Sequence, residues 1–221
     1  MDNDTLVLIR QSTPDDRIAL REICCDTADK GSPVEGFFPD RDIFSDLLMN
    51  YYMTYEPQSL WVVEISHKIV GYLSGCQNHR RFLRMVIFRI MPAVIIKSLR
   101  KKLILNKKIW VFIRYNAALW LKNVLSHHFP VRDFPAHLHI NLQQGYRGKH
   151  IGSLLLEKFL VQLKEGGVKG VHASVRDDNQ GAKNFFQSLG FIPLERYCSM
   201  IKPYHDRKEH IYTVIFGKKC L

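Results

Sequence analysis

The most regular alternation of apolar and polar residues in the chain falls at Ala136–Leu142, AHLHINL. Leu138, Ile140 and Leu142 point one way and His137, His139 and Asn141 the other, the period of a half-buried strand. Gly145, Gly148 and Gly152 follow around Arg147 and Lys149, and then the helical run from Ile151 to Leu160. Upstream, Thr5–Arg10 reads as a first strand. Thr13-Pro14-Asp15-Asp16 starts a helix that runs from Arg17 to about Asp26, and Asp40 starts a second to about Tyr52. Trp61–Ser66 and Ile69–Ser74 form a strand pair. Downstream come a helix over 152–164 stopped by Gly166-Gly167, a strand at Val171–Val175, and a helix over 180–189. Asp178 or Asn179 caps that last helix and Gly190 ends it. Strands over 193–202 and 209–217 close the chain, with Pro203–Arg207 between them.

The stretch between Gln77 and Pro135 keeps helical periodicity, as two or three short helices broken near Pro92 and Asn106 and ending before Pro130. It contains no acid until Asp133 but thirteen Lys and Arg residues, more than the net +11 of the whole chain, so the basic character is local. We expect a single domain over 1–221 with a basic amphipathic insertion at 79–133. Its surface suits a helical lid, an anionic membrane surface or an acidic partner; nucleic acid is disfavoured because a basic patch without a known module is non-specific.

At 221 residues and 46% hydrophobic, the chain can bury a sizeable core. No apolar run reaches the ~18 residues a spanning helix needs. The acidic start, Met1-Asp-Asn-Asp, lacks the features of a signal peptide, which points to a cytoplasmic protein. The five cysteines are odd in number and lack metal-ligand spacing, so reduced thiols and no metal are expected.

A glycine loop between strand and helix offers backbone N–H groups at the positive end of a helix dipole, a cradle for phosphate. The spacing is neither GxxxxGK[ST] nor GxGxxG, which sets aside the two common nucleotide motifs. Instead, Arg147-Gly-Lys-His-Ile-Gly152 resembles the [QR]-x-x-G-x-[GA] loop of the GNAT acetyltransferase superfamily, with His150 where the family has its middle glycine. Asn179-Gln-Gly-Ala-Lys-Asn-Phe-Phe-Gln-Ser-Leu-Gly-Phe191 resembles the second signature, N-x-x-A-x-x-[FY]-[YF]-x-x-x-G-F. IVGYLSG at Ile69–Gly75 resembles the family's "ivGyl.g" strand.

The resemblance implies an α/β (α+β) fold with a mixed, mostly antiparallel sheet of about seven strands flanked by helices. It also implies acetyl-CoA as cosubstrate, bound between two splayed central strands, and direct attack on the thioester by a primary amine of a small-molecule or protein acceptor. Coenzyme contacts map to Leu142, Gln144, Arg147, Gly148, Lys149, His150, Ile151, Gly152, Ser153, Asn179, Ala182, Phe185 and Phe186. A backbone N–H near Asn141–Leu142 would stabilise the carbonyl oxygen, which places Asn141 in the site although it cannot be a base. His139 is the first candidate base, with His137, Glu35 and Asp40 behind it. The usual general-acid tyrosine is replaced by Phe186, so Tyr146 or Tyr197 would have to serve, or thiolate leaves unassisted. Phe37, Phe38, Tyr51, Tyr52 and Tyr55 stand where the family walls its acceptor site, or else pack in the core. The alternative reading is a catalytically weak coenzyme-binding or docking module.

Overall fold

The computed structural model describes residues 7–123, 132–199, 202 and 211–220. Seven strands form one sheet: β1 Val7–Gln11, β2 Leu60–Ile65, β3 Lys68–Cys76, β4 Ala136–Leu142, β5 Gly170–Arg176, β6 Ile192–Cys198 and β7 Tyr212–Lys219. Their spatial order is β1-β2-β3-β4-β5-β7-β6. Every neighbouring pair is antiparallel except β4 and β5. The connection expected at Pro203–Arg207 lies outside the described residues.

Helices α1 (Arg17–Asp26) and α2 (Arg41–Tyr55) cover one face, and α6 (Ile151–Glu165) and α7 (Gln180–Ser188) the other. Three of these starts are written in the sequence. Asp40 accepts from the Ile43 N–H at 2.9 Å and Asn179 from the Ala182 N–H at 3.1 Å, as N-caps do. The Asp16 carboxylate accepts from the Thr13 N–H and pairs with Arg10 on β1, fixing the first helix to the sheet. On the second face, Leu155, Phe159 and Leu163 of α6 pack against Leu73, Leu138 and Val171. On the first, Leu20, Ile23, Tyr51 and Tyr52 pack against Val62, Tyr72 and Cys76. Phe37, Phe38, Tyr51 and Tyr52 are therefore core side chains.

Between β3 and β4 the chain builds α3 (His79–Met85), a π-helical turn at Val86–Ile90, α4 (Met91–Arg100) and α5 (Lys107–Asn123). The break expected at Pro92 does not occur. The cap residues Val86, Ile90 and Met91 all keep right-handed helical dihedrals, so α3 and α4 run on as one helix. The wider π turn, just before Pro92, lets the helix absorb a residue that lacks an N–H. The break comes at Lys101–Asn106, where Lys102 is left-handed (φ 53). Ile90, Val94, Leu103 and Ile109 are buried in the same core cluster as α1 and α2. Lys97 pairs with Asp46, and Lys101 with Asp40 and Asp42, riveting the segment to α2.

Candidate active site

The site grows from the one parallel junction. β4 and β5 pair only over Ala136–Leu138 and Val171–Ala173. Beyond that, His139–Leu142 stay with β3 while Ser174–Arg176 stay with β7. The two strands splay into a wedge that opens toward their C-terminal ends, the crevice where open α/β sheets bind ligands. The glycine loop leaves one lip of the wedge and α7 follows the other.

A 3-10 turn at Gln144–Tyr146, closed by the Arg147 N–H on the Gln144 carbonyl, turns the chain from β4 into the loop. Gly148 (φ +73) and His150 (φ 58) are both left-handed. Ser153 and Leu154 already donate to the His150 carbonyl. The five amides of Gly148–Gly152 make no backbone hydrogen bond among the described residues. Five consecutive donors at the positive end of a fifteen-residue helix suit an anion. Lys149 adds a positive charge and stacks its ammonium 5.6 Å from the Tyr146 ring. A Cβ on Gly152 would meet the Phe185 ring at 3.2 Å, so the loop and α7 touch here.

Other predicted residues are placed differently. The Arg147 guanidinium turns away from the loop and donates to the Leu142 carbonyl at 2.9 Å and the Lys30 carbonyl at 3.2 Å. It crowds Gly31, where a Cβ would fall 2.4 Å from its Nη1. Asn141 donates to the Tyr72 hydroxyl at 2.7 Å. Asn179 uses its oxygen as the α7 cap, holding Ala182. Phe186 is buried against Phe191 and Phe216, and Ile151 joins the same core, so neither offers much surface to a ligand. Of the alternative bases, Glu35 pairs with Arg41, and Asp40 is consumed as a cap and by Lys101. Cys24 and Cys76 are buried thiols whose burial pushes each up to about 12, which disables them as nucleophiles.

Below the apex of the wedge four imidazoles gather. His137 shares hydrogen bonds with the Tyr52 hydroxyl (2.8 Å) and with Nδ1 of His79 (3.1 Å). Nδ1 of His172 donates to the Phe134 carbonyl at 3.0 Å. His79 reaches the strands because its own N–H bonds the Pro135 carbonyl at 2.7 Å. Nitrogens of His79, His137 and His172 lie within 4.8 Å of one another, close enough for a transition-metal ion to draw together. The protein itself already engages both nitrogens of His137 and the outer nitrogen of His172. Burial, then the neighbouring imidazoles, holds His137 well below its ordinary value. Burial likewise lowers His79, and brings His172 down to about 4 against the pull of its carbonyl partner.

His139 is the one member of the β4 pair open to solvent, at the point where the strands part. Desolvation by the surrounding walls, and then His79, press it down to about 4. Across the wedge, Tyr197 lies 3.5 Å from the Ser174 hydroxyl, and burial raises its phenol.

The loop after α1 bridges the two lips. Arg147 on the β4 side holds its Lys30 carbonyl, while on the β5 side Asp29 pairs with Arg176 and Lys30 with Asp178. Burial works upward on Asp178, but Arg176 and Lys30 outweigh it and hold the carboxyl at about 2.

A glycine loop after a central strand, beside a wedge between two parallel strands in a seven-stranded sheet, is a shared plan. Residues 125–191 match the acetyltransferase (GNAT) family model. Over 97% of this chain and 98% of the other, the fold superposes on the structure of SsHAT with a TM-score of 0.70 and 25% sequence identity. This is a GNAT acetyltransferase fold. An N-acetyltransferase from Staphylococcus aureus Mu50 shares it at TM-score 0.59 and 15% identity, covering 98% of this chain and 100% of that one. YncA from Salmonella typhimurium, solved with its cofactor acetyl-CoA, shares it at 0.59 and 12%, covering 98% and 95%. The GNAT plan fits the residues present here: five open amides would face a pyrophosphate, and the wedge would take the pantetheine arm.

Proposed function

We propose that the protein transfers an acetyl group from acetyl-CoA to a primary amine. The observation that carries this reading is the coincidence, at one wedge, of an open amide cradle at Gly148–Gly152 and a solvent-reached neutral imidazole, His139, at the apex. Acetyl-CoA supplies the activated acyl group. His139 takes a proton from the acceptor ammonium, directly or through one water, and the freed amine attacks the thioester carbonyl. A backbone N–H on the unpaired side of Asn141–Leu142 faces the oxygen that becomes negative. The carbon–sulfur bond then breaks and the thiolate leaves, protonated by Tyr197 or by water. Burial raises the Tyr197 phenol, which keeps it protonated but makes it the weaker donor, so water is the stronger candidate for that step. Asn141 orients through Tyr72, and Arg147 reaches the phosphates only by releasing Leu142 and Lys30.

The test is calorimetric titration with acetyl-CoA alongside turnover on a panel of amines. Wild type is expected to bind saturably, Lys149→Glu more weakly, and His139→Gln as well as wild type. His139→Gln is expected to lose kcat by about 10²–10⁴-fold. No binding at millimolar coenzyme removes the enzyme reading. Binding without turnover on any amine leaves a coenzyme-binding module.

A further inference from the structure

Among the described residues, thirteen of the twenty large hydrophobic side chains most open to solvent lie on the β3–β4 segment. Phe88 is 72% exposed, Leu105 76% and Leu121 69%, values more typical of lysines. They are ordered. Ile87, Met91, Ile95 and Leu99 recur every fourth residue along the continuous α3–α4 helix, on the flank about a quarter turn from Ile90 and Val94, which pack in the core with α2. The segment therefore has a second apolar face after its first has been used in the core. Monomers rarely leave contiguous apolar surface of this extent without a partner.

The cations around this face select the partner. Arg80, Arg84, Arg89, Arg100 and Lys102 are exposed and make no ion pair among the described residues. The sequence offers them no acid between Gln77 and Asp133. Lys97 and Lys101 by contrast are bound to α2. Among the described residues, no helix is long and apolar enough to cross a membrane, so this face can lie on a bilayer and not through it. Trp110, half exposed with its Nε1 satisfied by the Ile104 carbonyl, has the amphipathic character of interfacial tryptophans.

We propose that the α3–α5 surface docks on an anionic lipid membrane, its apolar row in the headgroup boundary and its unpaired arginines on lipid phosphates and carboxylates. A nucleic-acid surface needs the cations but not a row of exposed isoleucines and leucines. An acidic protein partner would need the cations but not so long a row of apolar side chains, which here spread over the α3–α4 helix and α5. Both halves of the pattern are what a peripheral amphipathic anchor requires. The inference stands apart from the acetyl-transfer reading.

Co-sedimentation of the full chain with vesicles tests it. Binding is expected to phosphatidylcholine vesicles carrying about a quarter phosphatidylserine, to fall steeply with salt, and to be weak on phosphatidylcholine alone. Arg84→Gln with Arg89→Gln and Arg100→Gln is expected to lose about a hundredfold, near fivefold per charge. Phe88→Ser with Leu105→Ser is expected to weaken binding with every charge in place, and circular dichroism checks that both variants are folded. No binding to phosphatidylserine vesicles, or equal binding to both compositions, overturns the proposal. So does binding of duplex DNA, or a dimer that Phe88→Ser dissolves, when the vesicles stay bare.

Discussion

His150 sits at the N-cap of α6 with φ 58, in the left-handed region that suits glycine. A side chain there costs about 1–2 kcal/mol. Exchange for glycine relieves that strain but also frees the unfolded chain, which offsets part of the gain. The net expectation for His150→Gly is about 0.5–1 kcal/mol of added stability and a melting temperature higher by roughly 2 °C. A thermal melt checks it, and an unchanged or lower midpoint would show that the imidazole makes up for the strain elsewhere. The place of this residue was legible in the sequence, because the motif names the glycine position that His150 fills. The fate of Arg147 was not. Its motif position says phosphate, but its partners are carbonyls 5 and 117 residues away in sequence, and no local pattern encodes the second.

The alternation in β4 put His137 and His139 on one face from sequence alone. The other two histidines of the cluster come from α3 and β5, and His79 pairs with His137 across 58 residues. Only the topology brings them together, which is why the sequence spacing suggested no such group. Their shared environment has a consequence for acid stability. His172 stands at about 4 folded against an ordinary 6.5, and His137 and His79 are shifted the same way. The unfolded chain therefore binds more protons than the native one between those values, and stability rises with pH across that window. It is full above about 6.5 and is lost as pH falls toward 4, before Asp16, Asp46 and Asp178, each shifted downward, begin to titrate. Urea midpoints are expected to drop between pH 7.5 and pH 5, and to drop less in His172→Asn. A flat profile would mean that the cluster is hydrated enough to protonate in place. The helix through Pro92 teaches the same lesson about elements. Proline statistics predicted a stop, and a π turn, invisible to residue propensities, let the chain go on.

At the scale of the molecule, the order of strands and helices was readable because each element keeps its own period and most of the caps are local. The wedge was implied by resemblance, but the sequence had no means of showing that the loop after α1 spans it. That loop grips β4's lip through a guanidinium on a carbonyl and β5's lip through two ion pairs. The two attachments are chemically unequal. A diphosphate arriving in the cradle competes more readily for Arg147, whose partners are neutral carbonyls, than for Arg176 or Lys30, whose partners are carboxylates. If the groove takes acetyl-CoA as proposed, loading it would unfasten one end of the bridge and leave the other tethered, turning a fixed tie into a gate hung on a single post. If the protein transfers acetyl groups as proposed, the order of events follows: coenzyme first, acceptor after. Initial-rate patterns are accordingly expected to be ordered sequential, with no measurable acceptor affinity until the coenzyme is in place.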